Sequence, residues 1–117
     1  MRNGPLLDPM VLGISPREVA RRLRDDPDSL LLVDVREYEE REVAAIEPSL
    51  HIPMDEVVER ISEIPRHREV VVYCHMGARS EAVAAFLEAQ GYDRVLNLTE
   101  GIDGWSTQVD GSVPRYR

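Results

Sequence analysis

One stretch of the sequence reads Val70-Val71-Val72-Tyr73-Cys74-His75-Met76-Gly77-Ala78-Arg79-Ser80, an apolar, β-branched run that stops abruptly at the only cysteine. The next residues, 81–87, read Glu-Ala-Val-Ala-Ala-Phe-Leu. An uninterrupted apolar run of this kind is typical of a strand buried on both faces of a parallel sheet. The pattern therefore predicts a buried strand, a tight loop and a helix, in that order.

This arrangement suits Cys74 to act as a nucleophile. Backbone N–H groups in the loop and in the first helical turn have no partners within the helix, so we expect them to point at the sulfur and to favour its thiolate. The same donors would stabilise a persulfide or the oxyanion that delivers it. The alternative is that Cys74 is a small buried hydrophobic residue, as many free cysteines are. The strand end, Gly77 and Arg79 favour the nucleophile.

The composition predicts one domain spanning residues 1–117, since a chain of this length buries a core without disulfides or metal. The single cysteine makes no internal disulfide and lacks partners for a cysteine-based zinc site, which favours a reducing cytoplasm and a site without metal or cofactor. The net charge of −8 argues against nucleic acid or an anionic membrane as the main partner. No apolar run is long enough to cross a bilayer.

Strands and helices alternate along the rest of the chain. An irregular lead-in, residues 1–10, precedes a short strand at 11–14 and a helix that Ser15 caps and that runs to about Arg24. This alternation predicts an α/β fold with a mostly parallel sheet. The other elements follow in chain order: a strand at 30–35, a short helix with a solvated acidic face at 37–43, a short strand at 49–52, an amphipathic helix at 55–64 with Val57, Val58, Ile61 and Ile64 inward, the elements around Cys74, a strand at 95–98 and a polar tail at 108–117.

Four residues near Cys74 have predicted supporting roles. Asp34 and Arg36 come at the carboxyl end of a strand, where open α/β sheets bind their ligands, and we expect them to brace the site by an ion pair or hydrogen bonds rather than to contact substrate. Arg79 either grips an anionic donor or pairs with a nearby carboxylate, and the sequence favours neither. Ser80 caps the following helix or donates to the sulfur, and we expect capping.

Four fragments together resemble the single-domain rhodanese family of sulfurtransferases. They occur in that family's order and spacing, over roughly residues 11–107. The resemblance implies a three-layer α/β fold with a central parallel sheet of about five strands and helices on both faces. The fragments are Asp34-Val35-Arg36-Glu37, Ile52-Pro53, the loop from Cys74 to Ser80, and Gly101-Ile102-Asp103-Gly104-Trp105.

The resemblance also implies a chemistry. Cys74 would carry sulfane sulfur as a persulfide, taken from a small-molecule donor such as thiosulfate. The acceptor would be cyanide in an assay, and a thiol or a sulfur-carrier protein in the cell. The binding loop would comprise His75, Met76, Gly77, Ala78, Arg79 and Ser80, whose N–H groups stabilise the charge.

Two features depart from the family pattern. His75 stands where many members carry a basic residue directly after the cysteine, so we expect weaker and pH-dependent use of thiosulfate. The segment Ala44-Ala45-Ile46-Glu47-Pro48-Ser49 replaces the usual Gly-His-Ile-Pro-Gly-Ala. This second departure bears on the shape of a segment near the site and not on the sulfur chemistry.

Two other classes of function remain as alternatives. Related dual-specificity phosphatases and arsenate reductases carry a loop one residue longer, which places their arginine one position later than Arg79, so the shorter loop favours sulfur. A non-catalytic module is the other alternative, in which an acidic surface binds a partner and Cys74 reports oxidation.

Overall fold

Five short strands form one parallel sheet in the computed structural model, which describes residues 11–117. Their order across the sheet is β1-β5-β4-β2-β3, and every neighbouring pair is parallel. The predicted α/β fold with a five-stranded parallel sheet is confirmed, whereas the irregular lead-in predicted for residues 1–10 lies outside the described residues. The strands are Gly13–Ile14 (β1), Leu31–Asp34 (β2), Leu50–His51 (β3), Val70–Tyr73 (β4) and Val95–Leu98 (β5).

Helices cover both faces of the sheet. Ser15 caps the first helix as predicted, because its side chain accepts a hydrogen bond from the N–H of Glu18 at 3.1 Å. No helix in the described part of the chain is long and apolar enough to cross a membrane. The helices are Pro16–Asp25 (α1), Tyr38–Val43 (α2), Val57–Arg60 (α3), Ala78–Ala89 (α4) and Gly101–Gln108 (α5).

The central strand β4 is apolar because both of its faces are covered. Val70 and Val72 belong to a core that includes residues of α3 and α4, while Val71 and Tyr73 belong to a second core that includes residues of α1 and α5. All four of these side chains are fully buried. Cys74 is next in the alternation and therefore falls on the α4 side of the sheet.

The predicted amphipathic helix at 55–64 is wrong in its form. Only α3 is α-helical there, and it lies between two 3₁₀ turns at Met54–Glu56 and Ile61–Glu63. The predicted inward face is nevertheless present, because Val57 and Ile64 are buried and Ile61 packs against the core. Val58, also predicted to face inward, is instead 68% exposed, because it directly follows Val57 and adjacent helical residues do not share a face.

A buried ion pair lies at the carboxyl end of β2. The guanidinium of Arg36 donates to both carboxylate oxygens of Asp34, at 2.9 and 2.7 Å, and both side chains are completely buried. The register of β2 with β4 places Asp34 beside Tyr73, whose hydroxyl donates to the same carboxylate at 3.1 Å. Burial raises the pKa of Asp34, but the hydrogen bonds and charge of Arg36 outweigh it and hold that pKa below its usual range.

Replacing Asp34 by asparagine is expected to lower the free energy of unfolding by about 3–5 kcal/mol, because it leaves the buried Arg36 charge without its partner. Urea denaturation followed by circular dichroism measures this change. The control is Asp28→Asn, since the Asp28 side chain is exposed. Equal unfolding midpoints for the two variants would contradict the expectation.

Candidate active site

Cys74 is the first residue beyond β4 and begins the segment 74–80, a loop followed by the first residues of α4, which we call the Cys74 loop. Its side chain is only 1% exposed, and three donors surround the sulfur. The backbone N–H of Gly77 lies 3.1 Å from Sγ, the N–H of Ser80 lies 3.4 Å away, and the Ser80 hydroxyl lies 3.3 Å away. The N–H groups of the loop and of the first turn of α4 therefore point at the sulfur.

Gly77 makes the tight turn that brings these donors together. Its φ of 114° lies in the left-handed region, which a side chain would strain. The residue is also the N-cap of α4 and provides no side-chain cap. The amide of Asn97, on β5, donates to the carbonyl of Gly77 at 3.2 Å and so fixes the turn from the neighbouring strand.

The N-terminus of α5 holds the other side of the Cys74 loop. The N–H of Ile102 donates to the carbonyl of Cys74 at 2.9 Å, and the N–H of Asp103 donates to the carbonyl of His75 at 3.0 Å. Gly101, whose φ is 59°, lies directly against these carbonyls, and a Cβ atom there would overlap the carbonyl oxygen of His75. Helix α5 therefore binds the carbonyls of Cys74 and His75. The N–H groups of Gly77 and Ser80, later in the Cys74 loop, face the sulfur.

Two opposing influences set the pKa of the Cys74 thiol. Burial raises it, but the Ser80 hydroxyl and the backbone N–H groups of Ser80, Gly77 and Met76 together lower it by more. The result is a pKa below the ordinary value, which favours the nucleophilic thiolate. The Ser80 hydroxyl has one proton and also lies 2.5 Å from the amide oxygen of Asn97, so the backbone N–H groups are the constant donors.

The expectation that Ser80 caps α4 is wrong. The helix begins at Ala78, so Ser80 already lies within its first turn and comes too late in the chain to cap it. The side chain is instead buried between Cys74 and Asn97, which agrees with the alternative that it donates to the sulfur.

Arg79 is paired with a carboxylate, the second of its two predicted roles. Its two terminal nitrogens lie 2.6 and 2.9 Å from the two carboxylate oxygens of Glu40, on α2. The pair with Arg79 lowers the pKa of Glu40, and partial burial opposes this change. Hydrogen bonds from the N–H of Glu37 and the hydroxyl of Tyr116 lower the pKa further, to about 2. Glu40 therefore stays ionised at neutral pH, and this part of α2 is not the solvated acidic face that its composition suggests.

The polar tail predicted at 108–117 is part of the site. The segment that follows α5, residues 109–117, folds back and places the Tyr116 ring on the ring of His75, with the centroids 4.0 Å apart and the planes 13° from parallel. The Tyr116 hydroxyl donates to Glu40 at 2.7 Å and accepts from Arg36 at 3.0 Å. An ion pair between Arg115 and Asp103 holds the segment against α5 at 2.9 Å.

The outer surface of the Cys74 loop is formed by Met76 and Ala78, which are exposed, Met76 by 64%. The imidazole Nε2 of His75 is buried and has no hydrogen-bond partner within the part of the chain that the structure describes. Among residues 11–117, no group of three or more His, Cys, Asp or Glu side chains is placed to hold a metal ion. The candidate site therefore combines a thiol of lowered pKa with two backbone N–H donors and one hydroxyl donor.

Three residues of this site were not singled out by sequence reasoning. Asn97 gives a local signal, because it is the polar member of the apolar strand Val95–Leu98. Glu40 and Tyr116 give none, since their partners are distant in the chain.

A family model described as the rhodanese-like domain matches residues 15–108. The chain belongs to the rhodanese-like domain family. This rhodanese-like domain is 45% identical over 97 residues to a sulfurtransferase of Allochromatium vinosum, a match that covers 83% of this chain and 90% of the relative. It is 37% identical over 93 residues to a putative sulfur carrier protein of Bacillus subtilis, covering 80% of this chain and 50% of that relative.

Solved structures show the same fold. A rhodanese-like domain protein from Staphylococcus aureus is 26% identical and matches with a TM-score of 0.78, over 92% of this chain and 100% of that chain. The resemblance drawn from the four sequence fragments is thereby confirmed, together with the fold that it implies.

Replacing Ser80 by alanine is expected to raise the pKa of Cys74, because one donor to the thiolate is lost. The rate of alkylation by iodoacetamide at neutral pH should fall by roughly a few-fold, and its pH midpoint should move upward. Ser62→Ala is the control, because Ser62 is exposed and lies in the turn Ile61–Glu63, outside the Cys74 loop. A midpoint that stays in place or moves downward would contradict the role given to the hydroxyl.

Replacing Gly101 by alanine is expected to displace the Cys74 loop and to cost about 1–3 kcal/mol or more of stability, because the new Cβ meets the loop carbonyls at a positive φ. Thermal unfolding measures the loss. Gly111→Ala is the matched control, since nothing lies within 4 Å of a Cβ at that position. A melting temperature equal to that of the control would show that α5 does not constrain the loop.

Proposed function

We propose that this rhodanese-like domain is a sulfurtransferase that carries sulfane sulfur as a persulfide on Cys74. The observation that carries the proposal is the ring of donors from Gly77 and Ser80 around a buried sulfur of lowered pKa. A nucleophile of this kind reacts as the thiolate at neutral pH. The names of the Allochromatium and Bacillus relatives, a sulfurtransferase and a putative sulfur carrier, support the same chemistry.

The reaction has two steps and needs no general base. In the first, the Cys74 thiolate attacks the outer sulfur of thiosulfate, the sulfur–sulfur bond of thiosulfate breaks, and sulfite leaves with the electron pair. The product is a Cys74 persulfide anion, and we expect the N–H groups that surround Cys74 to stabilise its negative charge. In the second, an acceptor attacks that terminal sulfur and the Cys74 thiolate is restored. When the acceptor is cyanide, the product is thiocyanate.

The physiological partners belong to the same proposal. The donor is thiosulfate or a persulfide, and the acceptor is a thiol or a sulfur-carrier protein. A nucleophilic cysteine has to stay reduced to turn over, so a reducing compartment such as the cytoplasm fits the chemistry. The catalytic group is Cys74, and the other residues of the Cys74 loop bind the transferred sulfur. The buried ion pair of Asp34 with Arg36 supports them from the carboxyl end of β2.

Intact-mass spectrometry of the reduced protein after incubation with thiosulfate, or with a small thiol persulfide, tests the proposal. We expect the wild type to gain one sulfur atom and to lose it again when cyanide is added. Cys74→Ser is expected to gain none while its circular dichroism spectrum stays that of the folded protein. No gain of sulfur by the wild type with either donor, or equal gain by the serine variant, would overturn the proposal.

A further inference from the structure

Among residues 11–117, the two arginines that lie near Cys74, Arg79 and Arg36, are both engaged by other groups of the protein. Arg79 is near enough that a Cys74 thiolate favours its charged form, but both of its terminal nitrogens are bound to Glu40. The negative charge of Glu40 at this distance offsets the positive charge of Arg79 and so weakens its attraction for a second anion. A donor that enters the site therefore meets an ion pair and not a free arginine.

Arg36 is equally unavailable. Its guanidinium is fully buried, and all of its N–H groups point at acceptors of the protein. Two of these acceptors are the oxygens of Asp34, and the others are the carbonyls of Ala44 and Glu40 and the hydroxyl of Tyr116. His75, the third basic residue nearby, has its ring under Tyr116 and its Nε2 buried.

Glu40 is held firmly in its place. One carboxylate oxygen accepts from Arg79 and from the N–H of Glu37, and the other accepts from Arg79 and from Tyr116. Because four hydrogen bonds fix the carboxylate, an incoming anion does not displace it cheaply. The site therefore presents a fixed negative charge beside the arginine that would otherwise attract an anionic donor.

We propose that Glu40 is a specificity-determining residue. It lowers the rate of sulfur transfer from dianionic donors such as thiosulfate relative to the rate from the persulfide of a small thiol. This inference rests on the proposed sulfur transfer and adds the chemical class of the donor. Thiosulfate brings two negative charges into the site and needs a free cation to offset them. The terminal sulfur of a protonated persulfide brings no charge and needs none.

With such a donor the transfer balances without another reactant. The Cys74 thiolate attacks the outer sulfur of R–S–SH, the sulfur–sulfur bond of the donor breaks, and R–S⁻ leaves with the electron pair. The proton stays on the transferred sulfur, so Cys74 becomes Cys–S–SH. The total charge is −1 on each side, and no oxidant or reductant is consumed.

The test compares two donors, thiosulfate and the persulfide of 2-mercaptoethanol, whose organic group carries no charge, in single-turnover experiments that follow the gain of one sulfur atom by intact mass. Glu40→Gln removes the charge and keeps the shape of the side chain. We expect it to raise the rate constant for thiosulfate by about tenfold relative to that for the persulfide. Glu39→Gln is the matched control, because it removes the same charge from an exposed neighbour on α2 and should leave the ratio as in the wild type.

Two further measurements separate this role from a structural one. In Glu40→Gln the thiosulfate reaction should become slower as sodium chloride is added, since a freed arginine attracts an anion through a screened charge, whereas loosened packing would not respond to salt in this way. If Glu40→Gln does not fold, Tyr116→Phe takes its place in the test. This variant keeps the ring that stacks on His75 and removes one hydrogen bond to Glu40. It should change the donor ratio in the same direction as Glu40→Gln, by a smaller factor.

The outcomes distinguish the inference from the function on which it rests. A wild type that takes sulfur from neither donor overturns both. A wild type that takes sulfur, with a donor ratio unchanged in Glu40→Gln and in Tyr116→Phe, overturns the role of Glu40 alone. A ratio that changes as much in Glu39→Gln would show that net charge, and not the pair with Arg79, selects the donor.

Discussion

The carboxylate of Asp34 joins the sheet to the active site. It accepts hydrogen bonds from Arg36, from Tyr73 on the neighbouring strand and from Arg41 on α2. Arg36 then extends the connection to the C-terminal segment through the hydroxyl of Tyr116. Because Asp34, Arg36 and Tyr73 are completely buried, the loss of any one of these three side chains leaves its partners without compensation. Strands β2 and β4, helix α2 and the C-terminal segment are thus positioned by one buried negative charge.

A second constraint is the sorting of backbone groups in the Cys74 loop. Helix α5 binds the first two carbonyls, Asn97 binds the carbonyl of Gly77, and the N–H groups of the turn and of α4 remain for the sulfur. The loop therefore separates its acceptors from its donors, and the sulfur lies on the donor side. A negative charge on the nucleophile, or on a sulfur bound to it, is stabilised by dipoles that are already oriented.

Local patterns in the sequence predicted the parts of this structure that depend on neighbouring residues. The apolar run of β4, the glycine turn and the helix after it follow from strand burial and helix propensity, and β5 occurs at its predicted residues. Contacts such as Glu40 with Arg79, 39 positions apart, and Tyr116 with Arg36, 80 positions apart, leave no trace in local periodicity. The position of Ser80 and the exposure of Val58 were mispredicted because each depends on where a helical turn starts and which kind it is.

The two helix N-termini that meet at the Cys74 loop also bear on how the loop responds to a negative charge on the sulfur of Cys74. Helix α4 donates to the sulfur and helix α5 donates to the carbonyls behind it, so the backbone is clamped from opposite sides. A scaffold held in this way has little room to relax when charge appears at its centre. For the proposed loading of sulfur on Cys74, this means that the donors are oriented when the chain folds and do not have to be reoriented in the reaction.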